Sequence, residues 1–295
     1  MELAKLIPLA IIASMASLLF SVALRARPAD LAYLLRHPGL LVRTVLAMNF
    51  MMPLLAVTMA LALRLEHAVE IALIAMALAP VPPILPGTEL KAGGSRSYTV
   101  GLLMVSCTLS IAFVPLAVSL ISRLANHPMT VTPAEIARIV ATWMILPMVA
   151  GTLLHAWRPQ LAESMSGPMA KAASVLLVVA AVPLLLKEWR PLFALLWNYS
   201  ALAIVAFVVA GLAIGHLLGG PDPEDRTVLA LSTGMRHPGV ALAALQGVDE
   251  QRSVVLAAVL LVMLVGVIVT QPYVRWRGRS LARANPLTSS GGGHA

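Results

Sequence analysis

One cysteine, Cys107, occurs in 295 residues, so no disulfide can close within the chain and no thiolate cluster can hold a metal. Charge is nearly as scarce. Asp, Glu, Lys and Arg make up 12% of the chain, about half the share of an ordinary soluble domain. Acids are the rarer sign, 13 against 21 Lys and Arg. Asp222, Glu224 and Asp225 sit beside prolines in a connector and do not form a magnesium-holding cluster. There is no His-Glu-x-x-His metal motif and no Gly-x-Ser-x-Gly nucleophile turn. These absences exclude a water-soluble enzyme and argue against an intramembrane one, so no catalytic residue, resident metal or cofactor is expected. The formal charge of +8 does not point to nucleic acid, because the basic residues lie between apolar runs and form no face or stripe.

What the chain has in abundance is apolar sequence, 59% of it, with a mean hydropathy of +0.89. A helix needs about 20 apolar residues to cross a hydrocarbon layer. Nine stretches qualify: Leu3–Leu24, Leu40–Leu63, Ala68–Gly93, Tyr98–Leu124, Pro133–Trp157, Met169–Leu186, Leu192–Leu218, Arg226–Gly247 and Ser253–Tyr273. The expected fold class is an all-α polytopic protein of the plasma or inner cell membrane. Residues 1–286 form one unit, and the Ser/Gly-rich stretch 287–295 reads as a disordered tail. Nine spans place the termini on opposite sides. Arg275, Arg277, Arg279 and Arg283 after the last span put the C-terminus in the cytoplasm and the N-terminus outside. Alternation then collects twelve basic residues inside against seven outside, leaving Lys91 and Arg236 unassigned.

Two spans are not plain helices. The third carries Pro80, Pro82, Pro83 and Pro86-Gly87 before Thr88-Glu89-Leu90-Lys91; the eighth is interrupted by Gly234 and by Pro238-Gly239. Proline removes a backbone donor and blocks continuous helix. Freed backbone is tolerated at membrane depth only where it is buried or lines a wet cavity, and paired breaks in matching places mark a secondary transporter's binding site. Each broken span is followed by one last helix of its half, so spans 1–4 match spans 6–9. The offset of five makes the two repeats inverted.

At these residues the chain resembles the bile acid:sodium symporter family. Pro86-Gly87-Thr88 is similar to the family's first crossing, and Gly234-Met235 with Pro238-Gly239-Val240-Ala241 to its second. Val105–Ser110 resembles a serine- and threonine-bearing family helix, and Leu46–Pro53 the family's third helix, the first family helix having no counterpart. The resemblance covers nearly all of the chain except the tail. It implies two inverted repeats whose broken helices cross near the midplane. It also implies a core of spans within 40–124 and 192–273 and a panel of spans within 3–24 and 133–186.

The departures from the family pattern bear on coupling. Sodium-coupled members place Glu two residues before Gly-Met and Gln-Asn after it; here those places hold Ser232 and Arg236-His237. Ser-Asn after the first Gly-Thr is replaced by Leu90-Lys91, preceded by Glu89, and the Gln of the second span falls on Met48, beside Asn49. Lysine and arginine offer no acceptor oxygen. Sodium independence is therefore expected, with Lys91 and Arg236 as fixed cations, Glu89 pairing with one of them, and an organic anion completing the neutralisation. Thr88, Ser232, Thr233 and Asn49 join this candidate site. Ser106 and Ser110, four apart on one helix face, are candidates to offer hydroxyls. His237, the one histidine in a break, is a candidate for proton coupling or for a bond to freed backbone. A sodium-coupled symporter and a non-transporting sensor or scaffold are the alternatives.

Overall fold

A computed structural model describes residues 2–125, 133–197, 199–244 and 252–284, and among these no strand occurs. In chain order the helices are α1 (Glu2–Ala23), α2 (Pro28–Leu31), α3 (Tyr33–Arg36), α4 (Pro38–Val45), α5 (Met52–Leu63), α6 (His67–Leu78), α7 (Leu85–Lys91) and α8 (Arg96–Ala125). There follow α9 (Pro133–Val140), α10 (Leu146–Trp157), α11 (Pro159–Lys187), α12 (Trp189–Leu196), α13 (Ser200–Leu218), α14 (Pro223–Gly234), α15 (Pro238–Ala244) and α16 (Arg252–Ala284). Wide π-helical turns at Leu46–Met51 and Ala141–Ile145 join α4 to α5 and α9 to α10.

Six described helical stretches are long and apolar enough to cross a membrane: 38–63, 96–120, 137–157, 159–187, 200–218 and 253–281. Shorter apolar helices run over 9–23 and 67–78. The third and eighth expected spans are each divided, as their prolines and glycines predict. Other edges differ from the sequence reading. The stretch 192–218 is two helices, α12 and α13, the first ending at Leu196 and the second capped by Tyr199. The sixth span begins at Pro159, not Met169, since α11 continues through Gly167-Pro168 at the loss of one backbone bond. The last runs past Tyr273 to Ala284, so three of the flanking arginines extend the helix and one lies in its last turn. The tail 287–295 lies outside the described residues.

Packing divides by partner. Helix α1 lies against α10 and α11. Arg25 Nε donates to Ser166 Oγ at 2.6 Å, and His155 Nδ1 bonds Leu24 O at 2.9 Å. Helix α16 lies against α6 and α13, and α13 against α14. The buried core between them includes Met48, Met52, Leu73, Met76, Tyr98 and Phe207. Val175, Val178, Val179 and Leu186 of α11 are exposed, an apolar outer face suited to lipid.

The connector before α14 is built for a helix start. Asp222 is the N-cap, its Oδ1 accepting from Glu224 N at 2.8 Å, and Pro223 takes the first helical position. Partial burial first, then the neighbouring Asp222 and Glu224, push the Asp225 carboxyl up to about 6 from its ordinary 3.8, with His37 opposing. Between these values the folded protein binds more protons than the unfolded chain, so this group's contribution weakens as pH rises from about 4 to about 6. D225N is therefore expected to raise the thermal unfolding temperature above pH 6 in detergent, the gain disappearing near pH 4. A scan of unfolding temperature against pH checks the sign.

Candidate functional site

The two interrupted segments meet. Helix α6 ends at Ala79 in extended geometry (φ −72°, ψ 150°), and the prolines that follow prevent it resuming before Leu85. Helix α14 ends at Met235, also extended (φ −121°, ψ 136°). Across the junction the His237 backbone N–H donates to Pro80 O at 2.8 Å. This is a strand-like bond between breaks 157 residues apart in the chain. Pro80, Pro82 and Pro83 are buried, as are Ser232, Thr233, Gly234, Met235, Arg236 and His237.

Arg236 is 5% exposed and lies in this junction. Its Nη1 donates to Ala79 O at 3.2 Å and its Nη2 to Met48 O at 2.9 Å; its Nε is buried without a hydrogen-bond partner. The free carbonyl of Met48 has a local origin. In the π-helical turn Met52 N–H bonds Ala47 O, five residues back. The next donor in that register would be residue 53, and Pro53 has none. The guanidinium thus collects two carbonyls that helix interruption released, one from each of two elements.

Glu89 is 1% exposed on α7. Among the described residues it makes no ion pair with Lys91 or Arg236, contrary to the pairing expected from sequence. Ser232 Oγ donates to Glu89 Oε1 at 2.6 Å instead, joining α7 to α14. Lys91 is exposed in the last turn of α7, where its long stem reaches the surface, and is not a buried cation of the crossing.

The remaining expected residues divide. His237 Nδ1 accepts from Gly239 N at 3.0 Å and Val240 N at 3.3 Å, so the ring caps the start of α15. Of its two expected roles, the structure displays the bond to freed backbone. Thr233 Oγ1 donates to Leu229 O at 2.7 Å within its own helix. Ser106 and Ser110 donate to Leu103 O and Cys107 O, so both hydroxyl protons are held by α8. Asn49 and Thr88 are half-buried, Pro86 is buried and Gly87 is exposed.

Two supports of the site were not anticipated. Gly211, Gly215 and Gly219 form a four-residue repeat along α13. A Cβ on Gly211 would lie 3.0 Å from Gly234 Cα, and one on Gly215 would lie 2.6 Å from Ala230 Cα. The spacing is the small-xxx-small signal for close helix approach. Arg277, expected only as a cytoplasmic charge, is 7% exposed and donates Nε to Thr227 Oγ1 at 2.9 Å and Nη2 to Pro223 O, tying α16 to the start of α14.

The family model of the sodium bile acid symporter family matches residues 12–190. The match includes the first interrupted segment and ends before the second. The chain is also 24% identical over 235 residues to a Bacillus subtilis (strain 168) protein named "Uncharacterized sodium-dependent transporter YocS". That alignment covers 77% of this chain and 70% of the relative.

Two variants test the origin of the Met48 carbonyl. P53A returns an N–H to the π-helical turn, and R236M removes the donors that serve Met48 O. R236M is expected to be less damaging in the P53A background than alone, by about 1 kcal/mol of coupling. A double-mutant cycle of unfolding measured in detergent reads this directly. A separate substitution, Gly215→Val, is expected to cost about 1–3 kcal/mol by forcing α13 and α14 apart.

Proposed function

The chain belongs to the sodium bile acid symporter family, a family of multi-pass membrane transporters, and we propose that it carries a small organic anion by alternating access without sodium. The observation that carries the reading is Arg236. Sodium is a hard cation that seeks oxygen ligands, by the same logic as calcium and magnesium. Here the guanidinium already holds the carbonyl oxygens of Ala79 and Met48. A covalently attached charge replaces a dissociable one at the junction. No carboxylate pairs with it among the described residues, and its Nε remains available. A carboxylate or sulfonate on an apolar body supplies both the charge and the missing acceptor.

In this reading the chain has nine spans in two inverted repeats, with its N-terminus outside and its C-terminus in the cytoplasm. The mutual packing of α1, α10 and α11 supports a panel over 3–24 and 133–186. The packing of α13, α14, α16 and α6 supports a core drawn from 40–124 and 192–273. Rocking of one against the other exposes the junction to either side. A second reading, sodium-coupled symport, is favoured by the family's description and by the relative's name.

A thermal-shift screen of carboxylates and sulfonates with apolar bodies, run in sodium and in potassium salts, separates the two. Stabilisation that is equal in both salts is expected, followed by uptake of the hits into proteoliposomes. R236Q is expected to lower that uptake about tenfold or more, the scale of one charged hydrogen bond. Uptake that requires sodium, or unchanged uptake by R236Q at equal protein, overturns the proposal. Binding without flux identifies a sensor.

A further inference from the structure

The family resemblance placed a carboxylate on the second broken helix, at the position Ser232 occupies here. In the folded chain the carboxylate stands on the other broken helix, as Glu89, in direct contact with that serine at 2.6 Å. We propose that Glu89 is a proton-coupling site: it takes a proton from one aqueous side, forming the neutral carboxylic acid, and releases it to the other. The proposal rests on the carrier reading for its consequence in transport, but the titration itself does not.

The surroundings favour a proton over a metal cation. The carboxyl is 1% exposed. Its direct partner is one serine hydroxyl, and Thr99, buried on α8, faces it with an Oγ1 outside hydrogen-bond geometry. Ser232 contacts the carboxyl oxygen directly, with no space for an ion between them. Among the described side chains one carboxyl and two hydroxyls meet here, well short of the oxygen shell a hard cation takes, about six or more for calcium. A proton needs only the carboxyl. An isolated ionised carboxylate in a dry interior is costly, and neutralisation removes that cost.

Among the described residues the charged groups around it leave Glu89 without a counter-charge. Helix α7 packs against α8, α14 and α16. On α7 itself Lys91 is exposed. On α8, the Tyr98 hydroxyl is bonded to Thr44 at 2.8 Å and Arg96 is exposed. On α14, Asp225 and Arg226 lie about two turns before Ser232. From α16, Arg277 is held by Thr227 and Pro223.

Infrared difference spectroscopy of the full chain in a lipid film tests this without any substrate. The film is perfused between about pH 5 and about pH 9, the range in which a buried carboxyl can titrate, in potassium salts. A reversible protonated-carboxyl band is expected. It should be absent in E89Q and restored in E89D. In S232A it should move to higher frequency, because the carbonyl loses its hydrogen-bond donor; this identifies the group even where E89Q folds poorly. A carboxyl that stays in one protonation state across the range overturns the proposal. So does a band that sodium displaces at constant pH, which marks a metal-ion site. Neither outcome touches the R236Q uptake test, so failure here and failure of the carrier reading are told apart.

Discussion

Backbone that leaves helical geometry within an apolar layer has no water to turn to, and each unpaired amide there costs several kcal/mol. The architecture around the crossing follows from that constraint. Three prolines, Pro80, Pro82 and Pro83, stop α6 from running on to α7, and a Gly-Met pair with a Pro-Gly pair marks the break between α14 and α15. The released groups are satisfied across the break. His237 N–H reaches Pro80 O, Arg236 gathers Ala79 O and Met48 O, and the His237 ring receives the first donors of α15. The breaks are tolerable because they occur together.

That arrangement also decides where charge can sit. A guanidinium among carbonyls has good hydrogen bonds but no counterion among the described residues, and a carboxyl against a serine is in the complementary position. The two lie on opposite members of the crossed pair, Glu89 on α7 and Arg236 just after α14, and no salt bridge links them among the described residues. Pairing would have neutralised both and closed the site to outside ions. Left separate, the guanidinium keeps its carbonyls and the carboxyl its serine.

Much of this was legible in the sequence. Proline and glycine are strong local signals, so both interruptions were located, and long apolar runs gave the approximate helices. Glu89, Ser232, Arg236 and His237 were identified because polar residues inside apolar stretches stand out. What could not be read was partnership. Glu89 and Ser232 are 143 residues apart, and only the tertiary crossing brings them together. Lys91 looked equivalent to Arg236 in one dimension, yet two residues along a helix from Glu89 put it on another face, at the surface. The separation of α12 from α13 and the continuation through Pro168 turned on helix ends and local tolerance, which hydropathy does not register. The Gly211-Gly215-Gly219 repeat was present as a pattern, but its meaning depended on knowing that α14 lies beside it.

That glycine repeat has a mechanical corollary. Where backbone rests on backbone, with no side chain to act as a cushion, two helices cannot roll or slide over one another without collision. Helices α13 and α14 are in effect a single splinted piece from Gly219 to Gly234. The other broken segment has no such splint: it meets this piece through hydrogen bonds, at Ala79, Pro80 and Glu89.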